Sequence, residues 1–371
     1  MSSADRPGAT GLRRDLVLLL VLGAVLFGAG LGMRDPWPAD EPRFALIARD
    51  MAASGDWLFP RVGGDLYQDK PPVFFWAIAG LHALTGELRL AFLLPSLLAA
   101  LGTLLLVYDL GRRLWSREAG LASALLLAVS LQFVIQARAA QIDMLLTLFS
   151  SAALYGIACH LLAGPDWRAY AAGGFAAGLG VITKGTGFLA LLLLLPFFAL
   201  RRLGFGGLWR GQGGARWWLA PAAALLAIAC WFVPMVATVA LSGDPALEAY
   251  RDELLFKQTV TRYASAWHHH EPWHYFIVSV IPGLWLPGTA LLPWLVPGWR
   301  EAWRSRDGRP WLFLGWVLLV VAFFSASAGK RGVYVLPALP AFALACGPLL
   351  AGMAARRGLQ AWVFALTGAL V

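Results

Sequence analysis

The stretch Leu16–Met33, LVLLLVLGAVLFGAGLGM, decides the class of fold. It carries no charge over about the length that a helix needs to cross a hydrocarbon core. Arg13 and Arg14 stand just before it and no convincing small-residue cleavage site follows, so it reads as an uncleaved first span. Similar stretches recur along the chain. Spans are expected near 15–33, 90–111, 118–136, 142–163, 169–183, 186–200, 218–241, 275–297, 311–327 and 333–352, with an eleventh beginning near 359. The 371 residues are 59% hydrophobic and only 14% charged, with a mean hydropathy of +0.66, beyond what a soluble domain tolerates. The expected fold class is all-α, a polytopic transmembrane helical bundle.

The charges that remain are sorted. With the N-terminus inside, cytoplasmic segments hold 17 of the 30 basic residues and 7 of the 21 acidic ones, a net +10, while the outside carries −1. The positive-inside rule selects this topology. A sequence pI near 9.9 therefore reflects span-flanking arginines and gives no reason to expect nucleic acid as a partner. Three polar features fall on the outer face: the 34–89 loop, the 242–274 loop, and Gly329-Lys330-Arg331-Gly332. Cys159, Cys230 and Cys346 each lie inside apolar segments and read as packing residues. No internal repeat or coiled coil is visible.

The first outer loop contains Asp40-Glu41-Pro42-Arg43, and Phe44, Ile47, Ala48 and Met51 follow at helical spacing. That spacing predicts a short amphipathic helix along the membrane surface. Asp40 or Glu41 can cap this helix, with Pro42 in its first turn. Equally, a carboxylate beside the membrane can take the proton from an attacking hydroxyl, and the residues alone leave both readings open. Lys70 precedes Pro71-Pro72 and the aromatic run Phe74-Phe75-Trp76, which places it at the membrane interface. There it is either a snorkelling lysine or a point charge for a lipid phosphate, and Asp69 can pair with it.

Asp143 opens the 142–163 span, where an acid is costly and is either a cap or a functional group. Lys184, between two apolar segments, needs a phosphate, a carboxylate partner or a water-filled cavity. His268-His269-His270-Glu271 does not place its imidazoles on one helical face, so it is no ready-made zinc motif, although one histidine could join Asp69 around a metal. Lys330, Arg331 and Tyr334 suit a phosphate clamp. Anionic lipid-linked substrate and a hydroxyl or carboxylate acceptor would fit such a face. The alternative class, a transporter or flippase for a lipid-linked sugar, should show mid-span charges and paired repeats; the sequence shows neither.

Taken in order, Asp40-Glu41-Pro42-Arg43, Ser54-Gly55-Asp56-Trp57, Asp69-Lys70-Pro71-Pro72, Ile142-Asp143, Thr183-Lys184-Gly185, His269-His270-Glu271-Pro272 and Tyr334-Val335-Leu336-Pro337 carry a resemblance. From residue 15 to about 350 the chain resembles the bacterial aminoarabinose transferase and dolichyl-phosphate-mannose protein mannosyltransferase-like family, glycosyltransferases of the GT-C fold. The resemblance implies inverting transfer of a sugar from a polyprenyl (undecaprenyl) phosphate to lipid A, another glycolipid or a protein at the periplasmic face of the inner membrane. It implies Asp40 as essential acid and base, and Asp143 as a supporting acid. Lys70 would bind the lipid phosphate, helped by Glu41, Arg43, Tyr67, Lys184, Arg262, Lys330, Arg331 and Tyr334. Asp69 and His269 match positions that hold a divalent metal (Zn, Mg or Mn) in aminoarabinose transferases, with Asp where the family often has Glu. Family members usually carry further spans and often an outer domain; this chain stops inside an apolar segment at Leu370-Val371 and is expected to be truncated.

Overall fold

The computed structural model describes residues 9–38, 40–254, 270–353 and 358. In chain order the principal elements are α1 (Ala9–Gly28), α2 (Asp40–Ser54), a hairpin of β1 (Arg61–Val62) and β2 (Asp65–Leu66), α3 (Val73–Thr85), α4 (Leu94–Leu114), α5 (Arg117–Ala128), α6 (Leu131–Ala137), α7 (Ile142–Leu162) and α8 (Trp167–Lys184). They continue with α9 (Leu194–Arg202), α10 (Leu219–Ser242), α11 (Pro245–Asp252), α12 (Leu292–Arg304), α13 (Gly308–Ala326) and α14 (Leu339–Met353). Hydrocarbon offers a backbone no hydrogen-bonding partner, so apolar runs satisfy themselves as helices. Five helical stretches are long and apolar enough to cross a membrane, and two bent pairs bring the number to seven among the described residues. The chain is a multi-pass helical bundle. α1 carries Asp15 ahead of its apolar run; this buried acid accepts from Arg117 at 2.6 Å and from the Tyr108 hydroxyl at 2.7 Å.

Two expected spans are broken. The 118–136 run is α5 and α6 bent by 67°, with the Ser130 hydroxyl donating back to the Leu126 carbonyl at 2.7 Å beside the break. The 275–297 run bends by 95° between Phe276–Leu284 and Thr289–Arg304; Pro282 and Pro287 each withhold a backbone donor there. Residues 167–184 form one unbroken helix, closed by Gly185 in the left-handed conformation (φ 83°) with its N–H on the Val181 carbonyl at 2.6 Å. A 3-10 turn, Gly187–Leu193, then leads into α9. The expected eleventh span lies outside the described residues.

Close helix contacts rest on small residues, as in membrane bundles generally. α8 packs on α10 where Gly174 and Gly178 meet Ala220 and Ala224, and on α7 where Gly173 meets Gly156. A Cβ on Gly174 would overlap the Ala220 carbonyl.

The 34–89 segment folds onto one end of this bundle. The Phe44, Ile47, Ala48, Met51 face of α2 is buried, with Phe44 5.8 Å from Phe74 and 5.6 Å from Phe75 between ring centres. The amphipathic face thus meets protein, where the spacing alone suggested the membrane surface. Gly63 and Gly64, both at positive φ (61° and 95°), make the two-residue turn of the β1–β2 hairpin. Indole N–H groups pin the stretch before it: Trp76 donates to the Trp57 carbonyl at 2.8 Å and Trp231 to that of Leu58 at 3.2 Å.

Candidate active site

α2 starts at Asp40, so two neighbouring acids share its first turn, where free N–H groups favour negative charge. Their surroundings differ. Glu41 is buried and accepts from both terminal nitrogens of Arg34 (2.6 and 2.9 Å), the Trp37 N–H (2.7 Å) and the Ala140 N–H (2.8 Å). Burial pushes its carboxyl up, but the Arg34 and backbone hydrogen bonds outweigh that and hold it below the usual range. Glu41 therefore anchors the helix, where the resemblance placed it among substrate-binding groups. The Asp40 side chain keeps 35% of its surface in solvent, with Arg43 and Arg331 each 4.0 Å away.

Arg43 also lies 5.9 Å from the centre of the Tyr67 ring, which packs edge-on against Phe75. Burial and then the charge of Asp69 push the Tyr67 phenol up to about 12, against the opposing pull of Arg43. Tyr67 accordingly remains a proton-bearing donor throughout the neutral range. Asp69 and Lys70 are half-buried in the short stretch between β2 and α3.

Asp143 and Lys184 form a buried ion pair. The acid sits in the first turn of α7 and the lysine in the last turn of α8, each at the helix end that favours its sign. Lys184 Nζ is 4.8 Å from the centre of the Tyr334 ring, and Tyr334 packs on Phe324 at 5.3 Å. Leu146, Ser150, Thr186, Phe324 and Pro337 line a small cavity nearby with room for about one water molecule.

One short segment joins the two halves. Arg331 reaches toward Asp40, and three residues later Tyr334 covers Lys184, with the Tyr334 N–H on the Arg331 carbonyl at 2.9 Å. Lys330 is turned the other way: it is buried and donates to the carbonyls of Ser327 (2.6 Å) and Glu271 (2.8 Å). These bonds, with the backbone bridge from His270 to Gly329, tie the second outer loop to this segment. Arg262 and His269 lie outside the described residues. Among those described, no group of three His, Cys, Asp or Glu side chains is disposed to hold a metal, and Asp69 is the described member of the expected metal pair.

Arg34, Arg138, Gln132 and Trp285 also organise this end of the bundle, and none of them stood out in the sequence. Arg138 donates to the carbonyls of Leu26 (3.1 Å) and Ala29 (2.9 Å) at the end of α1, while its own carbonyl accepts from Arg34 at 3.0 Å. Their signal was faint: Gln132 and Trp285 are single hydrogen-bonding residues inside apolar runs, and Arg34 and Arg138 are single arginines at the ends of such runs.

Comparison with known proteins bears on the family and the fold. Residues 69–231 match the family model described as dolichyl-phosphate-mannose-protein mannosyltransferase. The chain is 33% identical over 350 residues to the undecaprenyl phosphate-alpha-4-amino-4-deoxy-L-arabinose arabinosyl transferase of Pseudomonas aeruginosa, covering 91% of this chain and 60% of that one. A second such transferase, from Sodalis glossinidius, is 33% identical over 340 residues, covering 88% and 58%. This chain thus spans about three fifths of the length of the curated relatives it matches. The crystal structure of ArnT from Cupriavidus metallidurans bound to undecaprenyl phosphate superposes with a TM-score of 0.77 at 24% identity, over 92% of this chain and 60% of that one. The archaeal oligosaccharyltransferase AglB from Archaeoglobus fulgidus gives 0.58 at 15% identity, over 94% and 51%. Both solved structures share the fold.

Proposed function

We infer that this chain, which belongs to the aminoarabinose transferase and dolichyl-phosphate-mannose protein mannosyltransferase-like family of GT-C fold glycosyltransferases, transfers a sugar from a polyprenyl phosphate to an acceptor at the outer face of the membrane. The observation that carries the reading is the Arg331–Tyr334 segment. It sets a cation beside the accessible Asp40 carboxylate and an aromatic ring against the Asp143–Lys184 pair.

In such a transfer the anomeric carbon leaves phosphate and bonds to the acceptor oxygen, whose proton must go to a base. Asp40, half-exposed and flanked by guanidinium groups, is that base. Phosphate is already a good leaving group, so the remaining need is positioning and neutralisation of its charge. Arg43, Lys70, Arg331 and the Tyr67 hydroxyl supply donors for it. Lys184 is held by Asp143 beneath the ring of Tyr334, which belongs to the segment whose Arg331 reaches toward Asp40. Asp69 and His269 would be the residues to hold a divalent ion, which would supply positive charge for the phosphate; loss of transfer in EDTA, restored by one added metal, tests that assignment.

The relatives' names make undecaprenyl-phosphate-linked aminoarabinose the first donor to try. The acceptor is lipid A, another glycolipid or a protein, and the N-terminus is cytoplasmic, in keeping with the charge distribution. In membrane vesicles supplied with labelled donor, Asp40→Asn is expected to abolish transfer while leaving the protein inserted; normal transfer by that variant would sink the role of Asp40. Mass spectrometry of lipid A and envelope glycoproteins, with and without the protein, identifies the acceptor.

A further inference from the structure

Gln132 lies in the first turn of α6, just after the break that divides α5 from α6, and is 2% exposed. Its Oε1 accepts from the indole N–H of Trp285 at 2.8 Å, and its Nε2 donates to the carbonyl of Gly332 at 2.7 Å. Trp285 is itself 1% exposed. An indole N–H can only donate and a carbonyl only accept, so the two partners fix which way the amide points. The Leu131 N–H bonds to the Leu286 carbonyl at 3.0 Å, joining α6 to the other broken span a second time. Both breaks in the bundle therefore meet at this amide.

Gly332 follows Arg331 and precedes Tyr334 by two residues, so the amide grips the segment that serves both halves of the site. We infer that Gln132 is a positioning residue for sugar transfer: it sets the Arg331–Tyr334 segment against Asp40 and Lys184, with Trp285 locking it in place. The inference rests on the glycosyltransferase reading above. Gln132 reaches the reaction only through the backbone it holds. A space-filling role would be satisfied by any side chain of similar volume; a positioning role would not.

The test compares the wild-type protein, Gln132→Met, Trp285→Phe, Arg331→Ala and the Gln132→Met/Arg331→Ala double variant in liposomes with synthetic undecaprenyl-phosphate aminoarabinose as donor. Gln132→Met keeps the volume and loses both hydrogen bonds. It is expected to raise the donor KM about tenfold with kcat within about twofold, since it disturbs binding groups and not the base. Trp285→Phe should act in the same direction, by about threefold, through the amide it leaves half-satisfied. On the Arg331→Ala background Gln132→Met should cost clearly less than alone, because part of what it positions is already gone. Unchanged KM in Gln132→Met, or equal costs on both backgrounds, would overturn the inference even if the melting temperature falls. Should Gln132→Met fail to insert, Trp285→Phe decides: a raised KM supports the role and wild-type kinetics overturns it. Absence of transfer by the wild-type protein would overturn the glycosyltransferase reading instead.

Discussion

The carboxylate of Glu41 accepts a 2.8 Å hydrogen bond from the backbone N–H of Ala140, 99 residues further along the chain. Asp40 is the neighbour of one partner, and Asp143 lies three residues beyond the other. A single buried contact thus ties the helix that carries the proposed base to the helix that carries the buried ion pair. Replacing Glu41 with Ala strands Arg34 and two backbone donors. The expected cost is about 2–3 kcal/mol, below the ~3–5 of a fully buried pair because Arg34 keeps 30% of its side-chain surface in solvent. Thermal unfolding in detergent measures it, and a variant as stable as wild type would refute the anchoring role.

The same carboxylate predicts an acid sensitivity with a definite sign. Its hydrogen bonds hold it below the ordinary carboxylate range in the folded state, so the folded protein binds the proton less readily than the unfolded chain. Stability from Glu41 is then fully present above the ordinary glutamate value. It is lost as pH falls through that range and below it. Wild type should lose its stability advantage over Glu41→Gln as pH falls through the ordinary glutamate range and below it. A gap between their melting temperatures that stays constant with pH would contradict this.

The Asp143–Lys184 pair should behave as a unit. Lys184→Met leaves a buried carboxylate without its cation and Asp143→Asn leaves a buried ammonium, each costing about 3–5 kcal/mol. The double variant, Asp143→Asn with Lys184→Met, should recover most of the insertion and thermal stability and none of the sugar transfer. Recovery of transfer along with stability would make the pair purely structural.

Seven of the expected spans were legible because each is a property of about twenty consecutive residues, and hydropathy averages over that window. The breaks were not: Ser130, Pro282 and Pro287 vanish into the average, yet the chain turns beside them by 67° between α5 and α6 and by 95° in the 276–304 run. The site followed the same logic. That Lys184 needed a phosphate, a carboxylate partner or a water-filled cavity was legible from its apolar flanks; that it has Asp143 is a relation across 41 residues. Asp40 and Glu41 were indistinguishable in sequence. Arg34 separates them, by taking one carboxylate into a buried pair and leaving the other open.

Helix contact through glycine gives a prediction about the fold itself. Gly174 of α8 faces the Ala220 backbone so closely that a side chain there would overlap its carbonyl. Backbone cannot yield as a flexible side chain can, so Gly174→Val should force α8 and α10 apart and abolish stable insertion. Gly80 has open space where a Cβ would go, and Gly80→Ala should be recovered at wild-type levels. Equal yields of the two variants from membranes would count against the packing described.

Tyr334 offers two handles, a ring over Lys184 and a hydroxyl, and two substitutions separate them. The ring centre lies 4.8 Å from Nζ, a contact that contributes about 1 kcal/mol at a partly desolvated position. Tyr334→Leu removes it, costing the fold about that much, and should raise the donor KM severalfold by loosening Lys184 from its place. Tyr334→Phe keeps the ring and the packing on Phe324, so it should cost less than twofold if the cation contact is what matters. A loss in Tyr334→Phe as large as in Tyr334→Leu would transfer the role to the hydroxyl, making Tyr334 a hydrogen-bond donor to the phosphate and leaving Lys184 held by Asp143 alone.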